Sequence, residues 1–383
     1  MDAKQLASSI AQFSAKFCNE LDKNKSVVSS PLSAEILLAL LTLGTTEPAH
    51  DELLTALGIP DDASIRSGFS VVSDKLKSIK GVTLNVANKV YVMEGAYDLH
   101  SELKQDAIKV FDAGFEKVNF EESAAAASLI NKWVEDKTNN RIKDLISEDD
   151  LNRYTRLVLV NAIYFKGTWS KKFDPMHTMD KPFHVNATTT IQVPMMYKED
   201  NFRYGESEAL NAQLLEMSYV GGEASMLIVL PREVEGLDGV LKKLAGGFDL
   251  LGEVERKMFS TKVQVTMPKF KIETEIDLNT LLFKLGIKSI FNSKGPSGLT
   301  KVLNCDEPLY VSKAVQKAFI EVNEEGAEAA AATGFAVRRR RCAELQEEFT
   351  VDRPALWCVT AQRQILFLAT YKPPAPSSPH DEL

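Results

Sequence analysis

Residues 324–341 read EEGAEAAAATGFAVRRRR, a run of small residues between two glycines that ends on four consecutive arginines. As a β-strand, this stretch would send alternate side chains to opposite faces. One register gathers Ala327, Ala329, Ala331, Thr333, Phe335 and Val337 on one side and leaves Glu328 on the other. The leading half is slim enough to slide between two packed strands, with Gly326 as one pivot and Gly334 as a second. Alanine and glutamate also favour helix, so an exposed helix is the competing reading. Gly326, Gly334 and β-branched Thr333 oppose a long one. The stretch implies a segment that can change partners, joined to a basic bait for a protease.

The rest of the chain sets the context. Its 383 residues are 44% hydrophobic and 26% charged, an ordinary globular balance. Size alone suggests two or three domains, but no internal linker divides the chain, and the one Pro/Ser cluster, PPAPSSP at 373–379, reads as a tail. No apolar run approaches the roughly 20 residues of a membrane-spanning helix. A net charge of -8 and a pI near 5.4 disfavour nucleic acid as a partner. The expectation is one domain over 1–372 with a tail at 373–383, monomeric, with no membrane, cofactor or metal.

Cys18, Cys305, Cys342 and Cys358 are too few and too scattered for a disulfide framework or a metal site. Cys342, directly after the arginines, is expected at the surface, either inert or able to form mixed disulfides. The last four residues, His380, Asp381, Glu382 and Leu383, spell HDEL, a retrieval signal read by a receptor of the endoplasmic reticulum. Sequons at Asn24 and Asn186 are compatible with a lumenal protein and are candidate glycan acceptors. The N-terminus carries Leu6, Ile10, Phe13 and Phe17 at helical spacing and reads as an amphipathic helix, not a signal peptide. Two histories stay open: Met1 replaces a removed signal peptide, or this form remains in the cytosol.

Periodicity places helices early and strands late. Residues 33–43 are apolar enough for a buried helix after Pro31, and 124–134 continue into an amphipathic one. Residues 83–93 alternate, 157–165 look buried on both faces, and 224–230, 262–271 and 365–371 are further β-rich runs. The mixture implies an α+β fold.

Several of these segments together resemble the serpins, the serine protease inhibitor family. EEGAEAAAAT at 324–333 is close to the hinge of inhibitory members, and NAIYFKGTW at 161–169 is similar to the strand that ends at a tryptophan at the top of their central sheet. Ser30, Pro31, Leu32 and Ser33 match the start of the helix beneath that sheet. Phe173, VPMM at 193–196, VNEEG at 322–326, Arg353-Pro354 and ILFLATYKP near the C-terminus agree as well. The resemblance implies three β-sheets with eight to nine α-helices and an exposed reactive loop at about 324–348. It makes Glu324, Glu325, Gly326, Ala327, Glu328, Ala329, Ala330, Ala331, Ala332 and Thr333 the hinge. It also makes Ser30, Ser33, Asn161, Trp169 and Gln316 the residues that control opening of the central sheet. Two departures stand out. Gln316 occupies a position where many members carry histidine, and keeps a donor and an acceptor. Ala355 stands where phenylalanine usually follows Arg-Pro, which leaves a cavity unless Leu356 or Trp357 fills it.

The mechanism so implied is suicide inhibition: a protease cuts the loop, an acyl-enzyme forms, and the hinge inserts as an extra strand. Arg338, Arg339, Arg340 and Arg341 choose the target, because a buried guanidinium needs a carboxylate partner in the protease pocket. One arginine suits trypsin-like enzymes. A run of four suits furin-like proprotein convertases, which resemble one another in wanting arginine at the first and fourth positions before the cut. Cleavage between Arg341 and Cys342 meets that demand with Arg338. The usual hinge-to-bond length of the family instead points to cleavage between Arg340 and Arg341. An enzyme is disfavoured, since His50, His100, His177, His184 and His380 form no ligand or catalytic pattern. A non-inhibitory lumenal carrier or chaperone of the same family is the remaining alternative.

Overall fold

The computed structural model describes residues 1–95, 97–304, 306–325 and 346–374. The hinge from Gly326 onward, the four arginines, Cys342, Cys305 and the HDEL residues lie outside the described residues. Nine α-helices are present among those described: α1 (Ala3–Asn19), α2 (Pro31–Thr42), α3 (Ala49–Leu57), α4 (Asp62–Ser78), α5 (Ser101–Lys109), α6 (Ser123–Lys137), α7 (Leu237–Ala245), α8 (Leu250–Lys257) and α9 (Leu278–Lys284). They alternate with strands β1 (Val27–Ser29), β2 (Val82–Met93), β3 (Gly114–Val118), β4 (Leu157–Gly167), β5 (Met179–His184), β6 (Thr190–Ser207) and β7 (Ala212–Ser218). Seven more complete the set: β8 (Ala224–Pro231), β9 (Phe259–Pro268), β10 (Phe270–Asp277), β11 (Val311–Val322), β12 (Glu347–Thr350), β13 (Leu356–Ala361) and β14 (Gln364–Thr370).

The amphipathic N-terminal helix is α1, capped by reciprocal bonds between Asp2 and Gln5. Leu6, Ile10, Phe13 and Phe17 form its buried stripe. In α2, Pro31 sits in the first turn, where its missing N–H costs nothing, and Ser30 caps the helix by accepting from the Ser33 amide at 3.3 Å. Every residue of α2 is buried, including the charged Glu35. This helix packs against β2, β4 and β14, and so lies between the two sheets that contain those strands.

One sheet has five strands in the order β10-β11-β4-β2-β3. Its centre is the parallel pair β11 and β4, in register with Gln316 opposite Asn161. The other sheet has nine, in the order β1-β14-β13-β8-β7-β6-β9-β12 with β5 on the side of β6. Three sheets are expected from the resemblance, and among the described residues they are joined into two hydrogen-bonded networks. The cause is the 18-residue β6, which pairs β5 along its first part and β7 along its last, fusing two sheets into one. The run 262–271 is likewise two elements. Strand β9 ends at Pro268, which has no N–H for the ladder, and β10 starts at Phe270 in the other sheet. Helices also continue late in the chain, as α7 to α9, so the early-helix, late-strand division holds only loosely.

Candidate functional site

The five-stranded sheet carries two polar clusters, one at its middle and one at the top of β4 and β11. At the middle, Asn88, Asn161 and Gln316 sit side by side on β2, β4 and β11, since Asn88 pairs Asn161 in register and Asn161 pairs Gln316. All three are buried, as are Ser30 and Ser33 at the start of α2. Gln316 Oε1 accepts from the Ser30 amide at 2.9 Å, and its Nε2 donates to the Ser30 carbonyl at 2.9 Å and to Asn161 Oδ1. The Asn161 amide donates to Ser33 Oγ at 2.6 Å and to Asn88 Oδ1. The Ser30 hydroxyl donates to the Leu366 carbonyl of β14 at 2.6 Å. Gln316 and Asn161 therefore spend both donors and the acceptor inside the network, which lets them stay dry. The chain of bonds ties the sheet to α2 and crosses directly between β11 and β4.

At the top, the chain just past β11 is stapled to the chain just past β4. The Trp169 indole donates to the Asn323 carbonyl at 2.9 Å, the Trp169 amide to the Glu325 carbonyl at 2.9 Å, and the Phe173 amide to the Glu324 carbonyl at 2.8 Å. Trp169 is held in turn by stacking on Tyr219 at 4.5 Å between centroids. The Glu324 carboxylate receives Lys269 Nζ at 2.9 Å and the Thr178 hydroxyl at 2.8 Å. Burial alone would raise its pKa; the hydrogen bonds, led by that from Lys269, win and hold the carboxyl below its ordinary range. Glu325 lies 3.7 Å from Lys172.

The geometry thus brings Ser30, Ser33, Asn161 and Gln316 into one network and places Trp169 with Glu324 and Glu325 in another. Asn88, Thr178, Lys269 and Tyr219 were missed. Asn88 had a readable signal, a polar residue inside the alternating run 83–93, whereas Thr178 and Lys269 reach Glu324 only through the fold. Ala355 is fully buried, and Trp357 packs edge-on against Phe270 at 4.9 Å in the same core. Asn24 is exposed. Asn186 turns the chain between β5 and β6, its Oδ1 accepting from the Thr188 amide and hydroxyl at 2.9 and 3.0 Å. His177 is exposed, and His184 shares a 3.0 Å hydrogen bond with the Thr190 hydroxyl.

Comparison with known proteins agrees with this architecture. The family model described as "Serpin (serine protease inhibitor)" matches residues 8–374. Antichymotrypsin-2 of Bombyx mori is 46% identical over 328 residues, covering 85% of this chain and 86% of that protein. Alaserpin of Manduca sexta is 43% identical over 354 residues, 92% and 89% of the two chains. Among solved structures, Serpin48 of Tenebrio molitor superposes with a TM-score of 0.86 at 33% identity, over 98% of this chain and 99% of the other. With a family match over nearly its whole length, and relatives that are themselves protease inhibitors, the chain belongs to the serpin family of serine protease inhibitors.

Proposed function

We propose that this serpin traps an arginine-specific serine protease of the secretory pathway, a furin-like proprotein convertase, by suicide inhibition. The observation that carries the reading is the run Arg338 to Arg341 placed directly after a small-residue hinge. Four arginines match a protease with acidic subsites at several positions, whereas a trypsin-like pocket uses only one. HDEL at 380–383 would keep the inhibitor in the lumen with such a protease through the retrieval receptor.

The sheet geometry supports the trapping step. With β4 and β11 parallel and directly paired, the hinge enters by separating them and runs antiparallel to both, completing a ladder on each side. Entry requires the Gln316–Asn161 bond to break and the Trp169 and Glu324 contacts to release. Those contacts keep the uncleaved form in place, so the energy of insertion stays unspent until the loop is cut. Trapping succeeds when insertion is faster than hydrolysis of the acyl-enzyme.

Incubation with furin and, separately, with trypsin is the test. A complex with furin that survives denaturing gels, and a released fragment beginning at Cys342, are expected. A fragment beginning at Arg341 moves the reactive bond to Arg340 and favours the trypsin-like reading. Clean cleavage with no complex refutes inhibition.

A further inference from the structure

Where α1 ends and the chain turns toward β1, the ends of α1, α7 and β14 enclose a cavity of about 490 Å³. That size lies within the roughly 300–1,000 Å³ of small-molecule sites. Its apolar lining includes Cys18, Leu21, Leu237, Leu241 and Leu368. Burial pushes the Cys18 thiol up to about 12, against a pull from Lys23, so this group remains neutral and behaves as a small apolar one.

Charges on the lining decide what kind of ligand fits. Lys23 and Lys242 both pair with Asp238, and Lys25 lies 3.8 Å from Asp22. Lys372 differs from them. It is half-buried, and among the described residues its ammonium meets only the Lys23 carbonyl at 3.5 Å and no carboxylate. The one acid left over, Glu235, is exposed and makes no ion pair with Lys372. An ammonium that lines an apolar cavity and has no carboxylate partner among the described residues is placed to take an anion carried on an apolar body.

We propose that this cavity binds a small amphipathic carboxylate, with its apolar body against Leu237, Leu241 and Leu368 and its carboxylate on Lys372. Asn24 and Asn186 both line the same cavity, so a glycan on either would stand at its mouth, and unglycosylated protein is the material to use.

Calorimetric titration of the full chain with dodecanoate is expected to give saturable one-to-one binding. Dodecan-1-ol, which has the same chain without the charge, should bind about tenfold or more weakly, the worth of one charged hydrogen bond. Lys372→Glu should weaken dodecanoate by a similar factor and leave the alcohol unchanged. Leu237→Trp should fill the space and weaken both, with thermal unfolding as the check that each variant folds. Equal binding of acid and alcohol, no saturable heat, or an unchanged affinity in Lys372→Glu overturns the proposal. Binding that appears only after removal of residues 375–383 also overturns it, in favour of the chain's own C-terminal carboxylate as occupant.

Discussion

Glu324 shows how one side chain ties the chain just past β11 to the body of the molecule. Reversing it to lysine would set two ammonium groups together where an ion pair now sits. Breaking a fully buried pair costs about 3–5 kcal/mol; because Lys269 is half-exposed, Glu324→Lys should cost less, about 1–3 kcal/mol, seen as a lower urea midpoint. The pH dependence follows from the depressed pKa. The contribution is full above the unfolded carboxyl value of about 4.3 and is lost as pH falls through the lower folded value. The stability gap between the parent and Glu324→Gln should therefore shrink between about pH 7 and about pH 3. Glu35 behaves in the opposite sense. Both its carboxylate oxygens are buried without a hydrogen-bond partner, and burial raises its pKa well above the usual range. The native state then holds a proton that the unfolded chain releases, so stability falls as pH rises from the unfolded value toward the folded one. Glu35→Met should stabilise by about 1–3 kcal/mol at neutral pH, and by less in acid, measured by thermal unfolding.

At the scale of elements, the polar chain across β4 and β11 ties the middle of the sheet to α2. Gln316→Leu would leave the Ser30 amide and Asn161 Oδ1 without partners in a dry interior, while the Ser30 carbonyl keeps the Ala34 amide at 3.2 Å. A loss of about 2–3 kcal/mol is expected by urea unfolding. Gln316→His should lie within about 1 kcal/mol of the parent, because imidazole also offers one donor and one acceptor; a loss as large as that of leucine would show that the amide geometry itself is required. Much of this level was legible in advance. The uninterrupted apolar runs of α2 and β4 declared buried elements, and the sequence resemblance singled out Ser30, Ser33, Asn161 and Gln316 as related. The split between β9 and β10 had one readable signal, Pro268, but a proline also fits an edge or a bulge of a single strand, so the change of sheet behind it was not legible. Nor was the length of β6, whose two halves belong to different pairings.

For the molecule as a whole, the central strands β4 and β11 are directly paired with one another. If insertion releases stored energy, cleavage of the loop should raise the unfolding temperature well above that of the intact protein, read by calorimetry on the two forms. Equal unfolding temperatures would instead identify a non-inhibitory member of the family.

The amino-acid sequence alone determined the family likeness, the small-residue hinge, the arginine run and the two buried runs of α2 and β4, because each is a local pattern of side-chain size, charge or period. The tertiary structure alone decided which groups meet: Asn88 with Asn161, Lys269 and Thr178 with Glu324, and Lys372 with the wall of a cavity. Those partners stand 55 to 349 positions apart along the chain. Contacts at such separations are set by how sheets and helices pack, and no local pattern of residues records them.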